Sequence, residues 1–126
     1  MVQSRSSLSP VARLSLAVVT SALLVLGLAT RSFAEQMFHI CQPVEVAAFA
    51  SRVHVLCNIG TRDGIRYFAV ATANSAHAAR ILSVLMMAHL TARSIAVLYD
   101  PADTSGTNFG CLEEDCRRLL GVKVGG

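Results

Sequence analysis

The sequence has few charged residues and no tryptophan. Charged residues make up 15% of the 126-residue chain, against about 25% in typical soluble domains. Apolar residues make up 53%. This composition excludes an intrinsically disordered chain, which requires low hydrophobicity and high net charge. The length is that of one domain, and neither an internal repeat nor a low-complexity linker divides the chain.

Sequence motifs of several enzyme classes are also absent. There is no G-x-S-x-G turn and no G-x-x-x-x-G-K-[S/T] or G-x-G-x-x-G loop to hold a phosphate. The acidic residues Glu113, Glu114 and Asp115 are consecutive, a pattern typical of a solvated surface rather than of an acid–base pair. We therefore expect a protein that is not an enzyme and that needs no cofactor.

The first 34 residues have the pattern of an export signal. Arg5 and Arg13 flank a polar start, and residues 14–29 carry no charge. Residues 32–34 have small side chains at their first and third positions, as a cleavage site requires. The apolar run is shorter than the about 20 residues of a membrane helix. We predict a signal peptide over 1–34 and a secreted or periplasmic protein without a membrane span after cleavage; the alternative is an uncleaved anchor.

The basic character of the chain belongs to this segment. The formal net charge of the whole sequence is +3. Cleavage after residue 34 removes three arginines and no acid, which leaves eight basic and eight acidic residues. The mature chain 35–126 is therefore predicted to be neutral, and we expect no nucleic-acid partner. A single domain of this size buries a modest share of its surface, so disulfides or oligomerisation would help to stabilise it.

All four cysteines lie in the predicted mature chain, which is typical of two disulfides in a small exported protein. We favour a Cys111–Cys116 bond, because the LEED loop between them is short and polar and Gly110 gives turn freedom. That choice leaves Cys41 to pair with Cys57, although crossed pairings stay open. A zinc site is the alternative, but the sequence has neither C-x-x-C nor H-x-x-x-H spacing. We expect no metal.

Apolar residues that alternate with a period of two predict four strands. These are residues 53–59, 65–72, 94–100 and 120–124. A turn signal at 60–64 joins the first two strands as a hairpin. Residues 102–110 are polar and contain glycine, so we predict an exposed loop there. Residues 44–51 are consistent with a short helix or with an earlier strand.

A helix is predicted over residues 76–91, which are rich in Ala, Leu and Met. Asn74 or Ser75 can cap its first turn. One face has apolar or histidine side chains at helical spacing. These are Leu82, Leu85, Met86, His89 and Leu90. We interpret Met86 and Met87 as core residues and His89 as a packed or hydrogen-bonded histidine.

This element order predicts a mainly β domain with one helix, a small OB-fold-like, five-stranded Greek-key barrel. The alternative is a ferredoxin-like α+β sandwich, which needs a second helix at 44–51. Polar loops and one aromatic residue are candidates for sugar binding, because hydroxyl, amide and carboxylate groups hydrogen-bond sugar hydroxyls. The candidates are Thr61, Arg62, Asp63, Tyr67, Asp103, Thr104, Ser105, Thr107 and Asn108. The same residue types are common in loops that bind nothing.

An ordered set of segments between about residues 52 and 124 resembles a known family. The segments are the YFAVAT strand at 67–72, the helix to Ala88, the strand ending at Asp100, the pair 110–111 and the triplet 115–117. Together they resemble the B-subunit-like proteins of the subtilase-cytotoxin type, the receptor-binding halves of bacterial AB toxins.

The resemblance implies an exported OB-fold subunit that forms a homopentameric ring and binds host surface glycans. It also implies a toxin A subunit as a further partner and no catalysis in this chain. We therefore expect a non-enzymatic glycan-binding protein. The alternative is a monomeric periplasmic or secreted protein of the same fold, with a structural or inhibitor-like role and no glycan.

Overall fold

Six strands and one α-helix make up residues 34–125, the part of the chain that this computed structural model describes. In chain order the elements are β1 (Met37–Cys41), β2 (Pro43–Ala48), β3 (Arg52–Cys57), β4 (Tyr67–Ala71), α1 (Ser75–Leu90), β5 (Ile95–Tyr99) and β6 (Cys116–Lys123). A 3-10 helix, Ser105–Phe109, lies between β5 and β6. Nearly all of the predicted signal peptide, residues 1–33, lies outside the described residues.

The strands form one sheet in the order β1-β5-β6-β4-β3-β2. Strands β4 and β6 are parallel, and the other neighbouring pairs are antiparallel. Strands β1 and β2 occupy the two edges of the sheet, yet only Gln42 separates them in the sequence. One bent segment, residues 37–48, therefore supplies both edges of the sheet.

The prediction of a mainly β fold with one helix is confirmed for the described residues. The predicted closed barrel of five strands is not found in the described chain. The sheet has six strands, and it stays open because its edge strands β1 and β2 do not pair with each other. The chain bends at Gln42 and sends its two halves to different partners, β5 and β3. Residues 44–51 form most of β2 and the turn after it, so they do not provide the second helix of the ferredoxin-like alternative.

The core lies between the sheet and α1. The alternation predicted for β3 is confirmed at Val53, Val55 and Cys57, which are buried. The predicted strand 53–59 reached Ile59, but β3 ends two residues earlier and Ile59 is 67% exposed. Phe68 of β4 is fully buried and packs in the same cluster.

The buried face of the helix overlaps the predicted one only in part: Leu85 is buried as predicted, and Leu82 is partly buried against the core. Its buried side chains are Ala78, Ile81, Leu85 and Ala88, whereas Leu90 is 75% exposed. Met86 and Met87, predicted as core residues, are also exposed. Both faces of the helix carry apolar residues, so helical spacing did not decide between them. Packing against the sheet decides the buried face, which combines two alanines with Ile81 and Leu85.

Both ends of α1 behave as predicted. The side chain of Asn74 accepts a hydrogen bond from the backbone N–H of His77 at 3.1 Å, which caps the helix. At the other end, His89 Nδ1 donates to the carbonyl oxygen of Pro43 at 3.1 Å, which ties α1 to β2. No helix within residues 34–125 has the length and hydrophobicity that crossing a membrane requires.

Both favoured disulfide bonds are present. Cys41–Cys57 joins the ends of β1 and β3, and Cys111–Cys116 closes the loop before β6. All four cysteines are therefore paired, so none is available for zinc. The predicted exposed loop at 102–110 contains the 3-10 helix, whose Gly106 is buried against Cys111.

Candidate functional site

A groove with a volume of about 260 Å³ lies on the outer face of β3 and β4, opposite the core. Alternation along β3 creates this face: Val53 and Val55 point into the core, so Arg52 and His54 point outward. Tyr67, at the start of β4, lines the groove beside them. The floor of the groove is therefore a polar and aromatic strand surface.

The segment before β6 forms one wall of the groove. Ala69 of β4 is fully buried beneath Cys111 and Cys116, and Phe109 packs against the same cluster. The backbone carbonyl of Asp115 accepts hydrogen bonds from the N–H groups of residues 66 and 67, at 2.9 and 3.0 Å. The disulfide and these hydrogen bonds hold residues 110–116 against β4, and Gly110, Leu112, Asp115 and Cys116 line the groove.

Glu45 of β2 forms the opposite wall. The pairing of β2 with β3 shifts register between Pro43 and Glu45, an irregularity of the kind that redirects side chains in a sheet. Glu45 pairs with Leu56 and so lies diagonally across from His54. Its Oε1 atom is 3.0 Å from Nε2 of His54.

Arg52 contacts the other side of the His54 ring. Its Nε atom donates to Nδ1 of His54 at 3.4 Å. Its guanidinium carbon lies 4.6 Å from the centre of the Phe49 ring, a cation–π contact. We call the hydrogen-bonded chain of side chains Glu45–His54–Arg52 the polar series. It crosses the floor of the groove from one wall toward the other.

Two aromatic rings fix the position of His54 within the polar series. The ring centres of Phe49 and Tyr67 lie 5.3 and 5.4 Å from that of His54. Ser51 Oγ donates to the carbonyl oxygen of Phe109 at 3.2 Å, which ties the β2–β3 turn to the wall. The side chain of His54 is only 12% exposed, so the imidazole is held on every side.

The groove brings together a guanidinium donor, two carboxylate acceptors, an imidazole and an aromatic ring. Such a set can hydrogen-bond a ligand that has many hydroxyl groups while packing against its apolar face. Within residues 34–125, no group of three or more His, Cys, Asp or Glu side chains is arranged to hold a metal ion.

Tyr67 is the one predicted sugar-binding residue that lines the groove. Thr61, Arg62 and Asp63 lie in the turn between β3 and β4. The Thr61 hydroxyl closes this turn by accepting from the N–H of Ile65 at 3.1 Å.

The remaining predicted residues lie in and beside the 3-10 helix. They are Asp103, Thr104, Ser105, Thr107 and Asn108. Asp103 accepts from the N–H of Ser105 at 2.9 Å, and Thr107 Oγ1 donates to the carbonyl oxygen of Thr104 at 3.0 Å. Hydrogen bonds from Ser105 lower the pKa of the Asp103 carboxyl, and the nearby Arg118 and Arg117 lower it further. Several polar groups of this loop are thus engaged within the loop itself.

Sequence reasoning missed Glu45, Arg52, His54 and Asp115 as members of a site. The period-two pattern of β3 contained a usable signal, since Arg52 and His54 alternate with buried valines and therefore share the outward face. Glu45 and Asp115 gave no comparable signal, because a register shift and a disulfide-closed loop bring them to the groove.

No protein-family model matches the chain, and no curated protein matches it either.

Proposed function

We propose that this protein is an exported, non-enzymatic binding protein that recognises glycans in the groove on β3 and β4. The observation that carries the proposal is the polar series Glu45–His54–Arg52, which lies beside the half-buried ring of Tyr67. Secretion or a periplasmic location agrees with the two disulfides, which form and persist in oxidising compartments.

The chemistry of the groove supports a sugar ligand. Each sugar hydroxyl both donates and accepts hydrogen bonds, and the groove offers Arg52 as a donor and Glu45 and Asp115 as acceptors. The ring of Tyr67 offers an apolar surface for the C–H groups of the sugar. The groove volume of about 260 Å³ lies just below the range of about 300–1,000 Å³ typical of small-molecule sites. One sugar ring at the end of a glycan suits that size.

The position of the groove in the fold gives independent support. OB-folds bind oligosaccharides on the face of their second and third strands and on the flanking loops. When the bent segment 37–48 is counted as one strand, β3 and β4 are the second and third strands. Residues 110–116 then correspond to one of the flanking loops.

We further propose that the subunits assemble into a homopentameric ring, with a toxin A subunit as a further partner. The support is the apolar surface of the edge strand β1: Phe38 and Ile40 share one face of this strand and are 57% and 65% exposed, and exposed apolar patches mark interaction sites. Native mass spectrometry of the oxidised mature protein at micromolar concentration tests the ring. A monomer alone would contradict it and favour the structural or inhibitor-like alternative.

A glycan array probed with wild-type protein and two arginine variants tests the ligand and its place. Arg52→Gln should weaken binding by about tenfold or more, because it removes a charged hydrogen-bond donor from the groove. Arg62→Gln is the matched control in the turn 61–63 and should bind like wild type. The opposite result would place the site at that turn, and an array without signal would contradict glycan binding. Thermal unfolding of both variants verifies that they fold.

A further inference from the structure

We infer that protonation of His54 controls ligand binding in the groove by releasing Arg52 from the polar series. This inference rests on the proposed function, since it concerns the regulation of the same site. The release of Arg52 depends on which ring nitrogen of neutral His54 carries the hydrogen.

The contact with Arg52 determines the tautomer of the neutral His54 ring. An arginine Nε atom always carries a hydrogen and can only donate. Nδ1 of His54 receives this hydrogen bond, so Nδ1 must be the unprotonated nitrogen. The ring hydrogen is then on Nε2, where it donates to Glu45 Oε1 at 3.0 Å. Neutral His54 therefore bridges a cation and an anion, and both of its nitrogens are used.

Adding a proton to His54 disrupts one end of the polar series and leaves the other intact. The proton must go to Nδ1, because Nε2 already carries one. Nε2 still donates to Glu45, so that hydrogen bond persists. Nδ1–H, however, then faces Nε–H of Arg52, so two donors and two positive charges meet. Arg52 must move away from the ring.

The other groups around His54 do not compensate for this change. Its register neighbours, Ala47 on β2 and Ala69 on β4, are small and uncharged. Phe49 and Tyr67 offer ring faces and edges. The remaining charged group that lines the groove is Asp115 on the opposite wall. It can attract the displaced guanidinium, which draws Arg52 further from its position beside His54.

The consequence is weaker glycan binding in acid. Neutral His54 holds the donor groups of Arg52 in one position, whereas protonated His54 does not. A ligand that binds to Arg52 must then restrain this side chain itself, which lowers its affinity. We expect the affinity for the glycan selected on the array to fall about threefold to tenfold between about pH 8 and about pH 5, in line with the loss of one hydrogen bond.

Nuclear magnetic resonance on the 15N-labelled mature protein, without ligand, tests the coupling directly. At about pH 8 the ring nitrogens of His54 should show the Nε2–H tautomer. On acidification, the Nε–H signal of Arg52 should shift with the same midpoint as His54. An Nδ1–H tautomer, or an Arg52 signal that stays constant while His54 titrates, would overturn the inference.

Two histidine variants extend the test to binding. In His54→Asn the side-chain oxygen can still accept from Arg52 near the former Nδ1 position but does not titrate. Its Arg52 signal and its glycan affinity should not change between about pH 8 and about pH 5. His77→Asn, on α1 and outside the groove, is the matched control and should keep the wild-type pH dependence. A wild-type affinity that does not change with pH would overturn the inference.

The failure of the proposed function is distinguishable from the failure of this inference. An array without signal rejects glycans as the ligand, whatever the resonance of Arg52 does. A glycan that binds equally well at both pH values rejects control by His54 and leaves glycan binding in place. The ligand-free titration of the wild-type protein decides the coupling even where a variant does not fold.

Discussion

The guanidinium of Arg52 lies directly over Gly110, so that a Cβ atom added at Gly110 would be 2.5 Å from Nη1 of Arg52. Gly110 has a backbone φ of +92°, and it ends the 3-10 helix before Cys111. Glycine is favoured at that φ, because a side chain would clash with its own backbone. The same glycine therefore ends the helix and leaves the space in which Arg52 sits.

Replacing Gly110 by alanine should displace Arg52, whereas the same change at Gly64 should not. Gly64 also has a positive φ, +85°, but no atom lies within 4 Å of the position of its added Cβ. Both variants should lose about 1–2 kcal/mol of unfolding free energy from backbone strain. Only Gly110→Ala should also shift the Arg52 Nε signal and weaken binding to the array. If both variants bound the array equally well, the close contact between Gly110 and Arg52 would not matter for binding, which would contradict this prediction.

The two disulfides should differ in their effects on stability and binding. They close loops with sequence separations of 16 and 5 residues. The loop-entropy relation gives a loss of about 3 kcal/mol when both Cys41 and Cys57 are changed to alanine, and of about 2 kcal/mol for Cys111 and Cys116. Only the second change should weaken glycan binding, because that bond holds a wall of the groove. Urea unfolding and array binding of the two double variants test this; equal binding would contradict the role of the wall.

Truncation of two leucines tests which face of α1 is buried. Leu85 is fully buried, whereas Leu90 is 75% exposed. Leu85→Ala should cost about 2–5 kcal/mol of unfolding free energy, because it leaves a cavity in the core. Leu90→Ala should change it by no more than about 0.5 kcal/mol in the monomer. Comparable losses in urea unfolding at low protein concentration would show that both faces are packed.

Stability should fall at alkaline pH because of Tyr99. Burial raises the pKa of its phenol above the ordinary value, and the charge of Asp63 raises it further, while a hydrogen bond with Thr61 and the charge of Arg117 oppose the increase. The folded protein thus holds this proton more tightly than the unfolded chain does. The resulting stabilisation is complete below about pH 10 and is lost as the pH rises through the folded-state pKa.

The free energy of unfolding, measured in urea from about pH 8 to about pH 11, checks this expectation. Wild-type stability should decline over the upper part of that range. Tyr99→Phe removes the titrating phenol and should show a smaller decline. A variant whose alkaline profile matches that of wild type would contradict the assignment to Tyr99.

Local sequence patterns predicted much of the fold correctly. The period-two alternation located β3, β4 and β5 to within about two residues, and the short polar loop between Cys111 and Cys116 indicated the right disulfide. The register of Arg52 and His54 on the outer face of β3 was equally readable. These features depend on neighbours along the chain, which is why the sequence is sufficient for them.

By itself, the sequence determined the mainly β class with one helix, limited the cap of α1 to Asn74 or Ser75 and favoured the observed cysteine pairs over the crossed ones. Only the tertiary structure decided the bend at Gln42, the buried face of α1 and the assembly of the groove. The bend gives one segment two different strand partners, and the sheet chooses among the apolar faces of the helix. The groove forms because a register shift and a disulfide bring Glu45 and Asp115 to the strand that carries Arg52. These contacts join residues far apart in sequence, so no local pattern specifies them.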